Sequence, residues 1–600
     1  MLKKTLLPTI LLILAYGFWI SPDFKEIAAG VSIFLFGMLF LEDGFKAFTG
    51  GVLEKLLQKT TNKTWKSLLF GVVSTSIMQS SSLVSVITIS FISAGLVTLV
   101  AGIGIIFGAN IGTTTGAWLV AAFGLKVKIS AYAMPMLVFG IVLSFQKSKY
   151  LKGAGAVLAG LGFLFLGIHY MKEGFEAFKD SFDLASLAVA GYPGLFLFAA
   201  IGAAATVVMQ SSHATLVLIL TALAASQITY DNGLALAIGA NVGTTITAII
   251  GALSANVEGK RLAGAHLIFN VVTGVVAIAF ISQFIWAVDV VSNYVGIADD
   301  NYTMKLAVFH TLFNLAGVLI MVPLIHRLSD FLIKSLPEKA KDLAEPLYIN
   351  EAAIEFPETV LKSLKKEVWH LFDSAFEIMA HGINLHRTEI LTSEDLKKTI
   401  AEDREIHEFD MDELYERKVK VLYSAIVDFI SNAQAHMSSD FSEELFRLRK
   451  AAGEIVECVK HIKHLRKNTT KYMLSDNEHI RHEYNRLRYQ IALILKEIYR
   501  LRDEDEYDHA LAVLEMDELK AEIQTKHREL DVRVTEVLRD DLITPGMATS
   551  LLNDFNYVDE VSRHLLDTAQ ALMSSHVDLV AEAAQEVVLD EDEIEKASAA

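Results

Sequence analysis

The sequence predicts an all-α chain: a polytopic membrane part built from two repeats, followed by a soluble helical bundle. Three observations carry this expectation. Long apolar segments recur up to about residue 326 and then stop. The charge divides at the same place, with 21 Lys+Arg against 16 Asp+Glu up to residue 340 (net +5) and 32 against 55 beyond it (net −23). An unusual polar peptide, QSS, also appears twice inside the apolar part, at residues 79–81 and 210–212.

The 600 residues are 52% hydrophobic with a mean hydropathy of +0.39, too apolar for an ordinary soluble protein and long enough for several domains. Apolar segments lie near 5–20, 28–41, 67–107, 115–146, 153–171, 195–225, 233–254, 262–290 and 304–326, at ~20 residues per crossing. The opening MLKKTLLPTILLILAYGFWI reads as an uncleaved first membrane helix, because no small-residue cleavage pattern follows it. Lys3 and Lys4 would keep its start in the cytoplasm. The 67–107 stretch has room for one helix and a re-entrant hairpin, or for two helices.

Beyond residue 345, stretches such as FPETVLKSLKKEVWHLFDSAFEIM place apolar residues at helical spacing among many charges, which predicts a bundle of long amphipathic helices. Its acidity argues against nucleic acid as a partner. The single cysteine, Cys458, excludes an internal disulfide and any Cys-based metal motif, and fits a cytosolic location. The domain expectation is a membrane domain over 1–340, with repeat one near 28–146 and repeat two near 153–290, and a helical domain over 350–600.

The repeat is in register at three places. Gln79-Ser80-Ser81 recurs as Gln210-Ser211-Ser212, and GANIGTT from Gly108 recurs as GANVGTT from Gly239, both at an offset of 131. Upstream, EDGFKAF from Glu42 is echoed by KEGFEAF from Lys172, with Gly44 matching Gly174. Internal duplication of this kind is a common construction of secondary transporters. HLIFN from His266 and HTLFN from His310 form a further pair outside that register, with His and Asn on one helix face. Helix–helix hydrogen bonding is their expected role.

From Ser67 to Leu125 no residue is charged, and from Leu184 to Val257 only Asp231 is. Both stretches are nevertheless rich in Ser, Thr, Asn, Gln and Gly. Such groups are costly in hydrocarbon unless partnered, so they should face a protein interior or a water-filled cavity. Hydroxyl and amide oxygens suit a hard cation. Hydroxyls, amide N–H groups and helix N-termini suit an oxyanion. An uncharged set serves a site that takes a cation and an anion together, which favours symport over a channel with charged rings. No P-loop, GxSxG elbow or HExxH motif is present, so neither an enzyme nor ATP-driven transport is expected.

The duplicated QSS segments, each followed by GANxGTT, resemble the sodium–phosphate cotransporter family of the type II-like group, over roughly residues 25–330. The resemblance implies two inverted repeats, with QSS on re-entrant hairpins meeting near the membrane centre, and phosphate and sodium bound there. Carried over residue by residue, the first hairpin supplies Gln79, Ser80, Ser81 and Ser82, and the second Gln210, Ser211 and Ser212. Asn110, Thr113 and Thr114, with Asn241, Thr244 and Thr245, match the following segment. The third serine of the second copy is replaced by His213, a further donor or a pH-sensitive charge near the site. Basic pairs follow both repeats, Lys126/Lys128 and Lys260/Arg261, in mild conflict with inversion under the charge bias of loops.

The tail resembles a PhoU-type helical domain, chiefly through SLLNDFNYVDEVSRHL from Ser550. Asp403, His407 and Asp410 fall at the spacing of one helix face, where a solvated charged surface is the expected role rather than a metal site. The function implied is sodium-coupled phosphate transport across the cytoplasmic membrane by a multi-pass protein with a cytosolic tail. Na+ is the coupling ion and no other cofactor is expected. The partners implied are phosphate, Na+, the bilayer and phosphate-regulatory proteins. The alternatives are a membrane-anchored phosphate sensor or scaffold, and transport of another tetrahedral oxyanion such as sulfate.

Overall fold

The computed structural model describes residues 11–12, 14–49, 63–125, 129–181, 189, 191–253, 255–337, 345–351, 354, 356–407, 409–435, 437, 441–503 and 509–573. Among these the chain is all helix, turn and loop, without strands. Residues 1–10, with Lys3 and Lys4, lie outside the described residues, as do Lys126 and Lys128 and the end of the acidic tail. The chain divides into two compact units, Met1–Glu338 and Lys339–Ala600.

Among the described residues of the first unit, seven helices are long and apolar enough to cross a membrane. They are Pro22–Phe45, Leu99–Ala122, Tyr150–Ala177, Gly191–Met209, Tyr230–Ala252, Val257–Ala279 and Tyr302–Ser335. The protein is therefore an all-α polytopic membrane protein, as expected. The 67–107 stretch resolves into three helical segments, more than the two-helix alternative allows: α2 (Thr64–Met78), α3 (Ser81–Ser93) and the start of α4 (Leu99–Gly112). After α4 comes the short α5 (Thr114–Leu119), and then α6 (Ile129–Ser144).

Before and after this group run α1 (Pro22–Thr49) and α7 (Lys149–Ser181). These two pack antiparallel through glycines spaced seven apart. A Cβ on Gly37 would fall 2.8 Å from the Gly160 carbonyl oxygen, and one on Gly44 would fall 2.8 Å from that of Gly153. In lipid no hydrophobic force draws helices together, so close backbone contact through small residues does that work. The Gly44/Gly174 echo thus belongs to this seam: a Cβ on Gly174 would meet the Ile27 backbone nitrogen at 2.9 Å.

The second copy reproduces the first with α8 (Gly191–Met209), α9 (Ser212–Ala224), α10 (Tyr230–Gly243) and α11 (Thr245–Ala252). The ends of α9 and α10 lie 131 residues beyond those of α3 and α4, and Met209 and Thr245 stand at the same offset from Met78 and Thr114. The capping chemistry repeats as well. Ser80 Oγ accepts from Leu83 N–H and Ser211 Oγ from Ala214 N–H; Thr98 and Thr229 cap α4 and α10 in the same way. The first glycine of each GANxGTT motif does not unwind its helix; it sits where two helices touch. A Cβ on Gly108 would meet the Leu68 carbonyl oxygen at 2.0 Å, and one on Gly239 that of Ala199 at 1.8 Å.

The first unit ends in α12 (Val257–Ala279), α13 (Ile281–Tyr294), α14 (Tyr302–Met321) and α15 (Ile325–Ser335). Arg261, one of the basic pair after repeat two, is buried. It pairs with Glu258 and donates to the Leu336 carbonyl from Nε (3.0 Å) and Nη2 (2.7 Å). It caps the end of α15 and does not act as a loop charge, which weakens the charge-bias conflict noted above.

The second unit is a helical bundle led by α16 (Pro357–Gly382). Shorter helices follow: α17 (Arg387–Thr392), α18 (Leu396–Glu402), α19 (Met411–Leu414) and α20 (Val421–Gln434). Four long ones complete it: α21 (Ser442–Met473), α22 (Glu478–Asp503), α23 (His509–Arg539) and α24 (Pro545–Met573). Its core runs through Leu364, Phe372 and Phe376 of α16 to Ile491 and Leu495 of α22 and Val558 and Leu565 of α24.

One expectation fails here. Asp403, His407 and Asp410 do not share a helix, because the described residues between α18 and α19 are not helical. Asp403 leaves helical geometry to meet the fully buried Arg488 at 2.5 Å, Asp410 caps α19, and the His407 ring packs at 4.1 Å from that of His386. A buried guanidinium left without its carboxylate would cost more than one turn of helix contributes.

Candidate functional site

Each QSS motif sits at a break between two helices, and the break is made by the glutamine. Gln79 and Gln210 both have φ of 53°, in the left-handed region that side-chain-bearing residues seldom enter. Local bonds hold Gln79 there. Its N–H donates to Thr75 O, and its Nε2 donates to Ser76 O (2.5 Å) and to Thr115 Oγ1 (3.0 Å). Gln210 is exposed.

The next serine caps the following helix, which commits Ser80 and Ser211 to structure. The second serine is different. Ser81 and Ser212 are the first helical residues of α3 and α9, and their hydroxyls have no hydrogen-bond partner among the described residues. Ser81 is buried and Ser212 half-buried. Beside them, the opening N–H groups of a helix have no intrahelical acceptor and carry the positive end of its dipole. Two such ends, each with a free hydroxyl and no formal charge, make a natural oxyanion site.

The two copies touch. Ser82 Oγ lies 3.2 Å from Thr247 Oγ1 of α11. At Gly116 of α5, a Cβ would fall 1.8 Å from His213 Cε1 and 2.8 Å from Gln79 Oε1. That glycine therefore lets the glutamine of one copy and the histidine of the other meet across a bare backbone. The other side of the His213 ring stacks on Phe34 of α1, with centroids 5.7 Å apart and planes at 15°.

A cavity of about 10 Å³ opens between the copies, lined by Thr113, Ser212, His213, Asn241 and His310 among others. That is room for about one water molecule. The remaining predicted residues are placed less directly. Asn110 Nδ2 donates to Ile106 O, Thr113 and Thr114 hydroxyls donate to Asn110 O and Ile111 O, and Thr244 and Thr245 hydroxyls donate to Ala240 O and Val242 O. These bonds satisfy the hydroxyl hydrogens and leave oxygen lone pairs, the form a cation needs.

Asn241 is tied in from outside both repeats. Its Nδ2 donates to Asn314 Oδ1 at 2.7 Å, and its Oδ1 lies 3.2 Å from His310 Nε2. The HTLFN motif thus does make a helix–helix hydrogen bond, and that bond anchors Asn241, one of the residues the sequence singles out. In the HLIFN motif, Asn270 Nδ2 donates within its own helix to His266 O, while His266 Nδ1 and Asn270 Oδ1 are buried without partners. Thr115, Gly116 and Thr247 are residues that sequence reasoning missed. The signal was the run GTTTG after Asn110, one threonine longer than the repeated motif.

Helix breaks duplicated at one offset, meeting at an uncharged polar site among the seven membrane-length helices of the described residues, define a polytopic membrane protein of duplicated construction. Residues 33–173 and 194–296 match the sequence pattern of the Na+/Pi-cotransporter family.

The chain is 25% identical over 364 residues to YjbB of Escherichia coli (strain K12), provisionally named an inorganic phosphate export protein. It is 26% identical over 363 residues to the same-named protein of Salmonella typhimurium. Each match covers 60% of this chain and spans 64% of the relative's length. It is 29% identical over 299 residues to the uncharacterized protein YqeW of Bacillus subtilis (strain 168), covering 49% of this chain and 92% of that one. No solved structure matches.

Proposed function

We propose that the chain carries inorganic phosphate across the cytoplasmic membrane in symport with Na+. Residues 1–340 form the transport domain, and 350–600 a cytosolic PhoU-like regulatory domain. The observation that carries this is the pair of unpartnered hydroxyls, Ser81 and Ser212, at two helix N-termini brought together by the Gln79–Gly116–His213 contact. Phosphate oxygens take these hydroxyls and helix-end amides, while Na+ takes the oxygens of the threonine and asparagine set. The two repeats are inverted, with α2–α3 and α8–α9 as the re-entrant hairpins. The family-model match and the phosphate-export name of the YjbB relatives support the choice of substrate. Net direction follows the combined gradients of the two ions.

The test is labelled-phosphate flux in proteoliposomes for wild type, Ser81→Ala and Ser212→Ala, with unlabelled sulfate as competitor. A hydrogen bond to a charged group contributes about 1.5–3 kcal/mol, so each variant should lose roughly 10- to 150-fold in flux or affinity with its melting temperature unchanged. Wild-type flux in both variants removes the site assignment. Displacement of phosphate by equimolar sulfate replaces the substrate.

A further inference from the structure

Two long helices of the second unit, α21 and α24, bring three metal-ligating side chains together. His461 comes from α21. Glu560 and His564 come from α24, where they stand four apart on one helix face. One ligating atom of each lies within 4.8 Å of the other two, and His564 Nε2 is 3.5 Å from Glu560 Oε2. The two imidazole rings are nearly parallel, at 12°, with centroids 5.9 Å apart.

Packing alone does not account for this arrangement. His461 Nδ1 and His564 Nδ1 are both buried without a hydrogen-bond partner. Whichever tautomer each ring adopts, it keeps a lone pair or an N–H that no protein group satisfies. The carboxylate is only partly committed. Arg563 pairs with Glu560 at Oε2, the oxygen that also faces His564, which leaves Oε1 for another partner. That ion pair is half-exposed, so it holds the carboxylate only weakly against a divalent ion.

The donor set selects among metals. Ca2+ and Mg2+ take oxygen ligands, whereas two imidazoles and one carboxylate suit a first-row transition ion. Ligands at about 2.0–2.2 Å in a tetrahedron stand roughly 3.3 Å apart, so the widest pair must close by about 1.5 Å, within the reach of side-chain rotation. Three protein ligands leave a fourth position for water. The ligands come from helices that the unfolded chain does not hold together, so a bound ion favours the folded bundle.

We propose that His461, Glu560 and His564 bind one divalent transition-metal ion, Zn2+ or a close relative, which pins α21 to α24. The site makes the bundle a metal-responsive unit, independently of what the membrane unit carries.

The test is titration of tag-free, chelator-stripped full-length protein in detergent with ZnCl2, read by calorimetry and thermal melts, with Co2+ as an optical probe. One Zn2+ per chain should bind at micromolar concentration or tighter. The melting temperature should rise with Zn2+ and fall back with EDTA, and Co2+ should show the visible bands of a four-coordinate complex. His461→Ala and His564→Ala should each weaken Zn2+ at least ~100-fold and lose those bands, since even a group that only supports a ligand contributes about 10- to 100-fold. If either histidine variant does not fold, Glu560→Gln, at a half-exposed position, decides by the same two readouts. The proposal is overturned if the folded wild type takes up no Zn2+ at submillimolar concentration, if the folded variants bind as tightly as wild type, or if Mg2+ at equal concentration displaces Zn2+.

Discussion

Gly116→Ala is the sharpest perturbation of the contact between the two copies. Alanine is the better helix former, and α5 has ordinary helical geometry, so the backbone gains about 0.5–1 kcal/mol. The added methyl, however, falls 1.8 Å from His213 Cε1, 2.4 Å from Nδ1 and 2.8 Å from Gln79 Oε1, against a comfortable separation of about 3.5–4 Å. His213 cannot retreat, because its ring already lies on the buried Phe34. Gln79 is tied to Ser76 and Thr115. The strain must therefore separate α5 from α9.

Overpacking of this kind costs about 1–3 kcal/mol, so a net loss of roughly 1–2 kcal/mol is expected. Transport should fall at least ~10-fold, since the two motifs no longer meet. Melting temperature and phosphate flux in proteoliposomes are the assays. Gly233→Ala, whose methyl would meet nothing closer than 3.7 Å, is the control and should be neutral or slightly stabilising. Adding His213→Ala to Gly116→Ala should restore stability without restoring flux. Wild-type stability and flux in Gly116→Ala alone would refute the contact.

Two other outcomes follow from single bonds and burials. Asn314→Ala leaves the buried Asn241 amide without its acceptor and should cost about 1–3 kcal/mol, read as a lower melting temperature together with weaker phosphate transport. In the second unit, burial pushes the Lys365 ammonium down to about 8. Below pH 8 the folded and unfolded chains both hold that proton, so the burial penalty is present in full. It disappears as pH rises from 8 towards the unfolded value of 10.5. Lys365→Met should thus stabilise the protein at pH 7, by roughly 3 kcal/mol, and the gain should vanish by about pH 10.5 in thermal melts taken across that range.

Much of the membrane unit is legible in the sequence, because each copy carries its own local instructions. Ser80 and Ser211 start their helices by capping them, Thr98 and Thr229 start the next pair, and the offset of 131 between copies carries into the structure. What is not legible depends on partners far along the chain. A motif glycine can either unwind a helix or let two backbones approach closely; Gly108 and Gly239 do the second, and the left-handed breaks fall to Gln79 and Gln210. Nothing local marks a glutamine for a left-handed conformation; Thr115, 36 residues away, helps to hold Gln79 there. The spacing of Asp403, His407 and Asp410 suits a helix, but Arg488, 85 residues on, draws Asp403 out of one. His310 and Asn314 show their relevance to the site only once α14 lies against α10.

The most direct measurement is labelled-phosphate uptake into proteoliposomes holding the purified full-length protein, with an inward Na+ gradient compared with an equal K+ gradient. Sodium-coupled symport through the duplicated site predicts phosphate accumulation above equilibrium with Na+ only, abolished when Ser81 and Ser212 are both replaced by alanine. Equal phosphate movement under Na+ and K+, or accumulation that survives the double replacement, would contradict it.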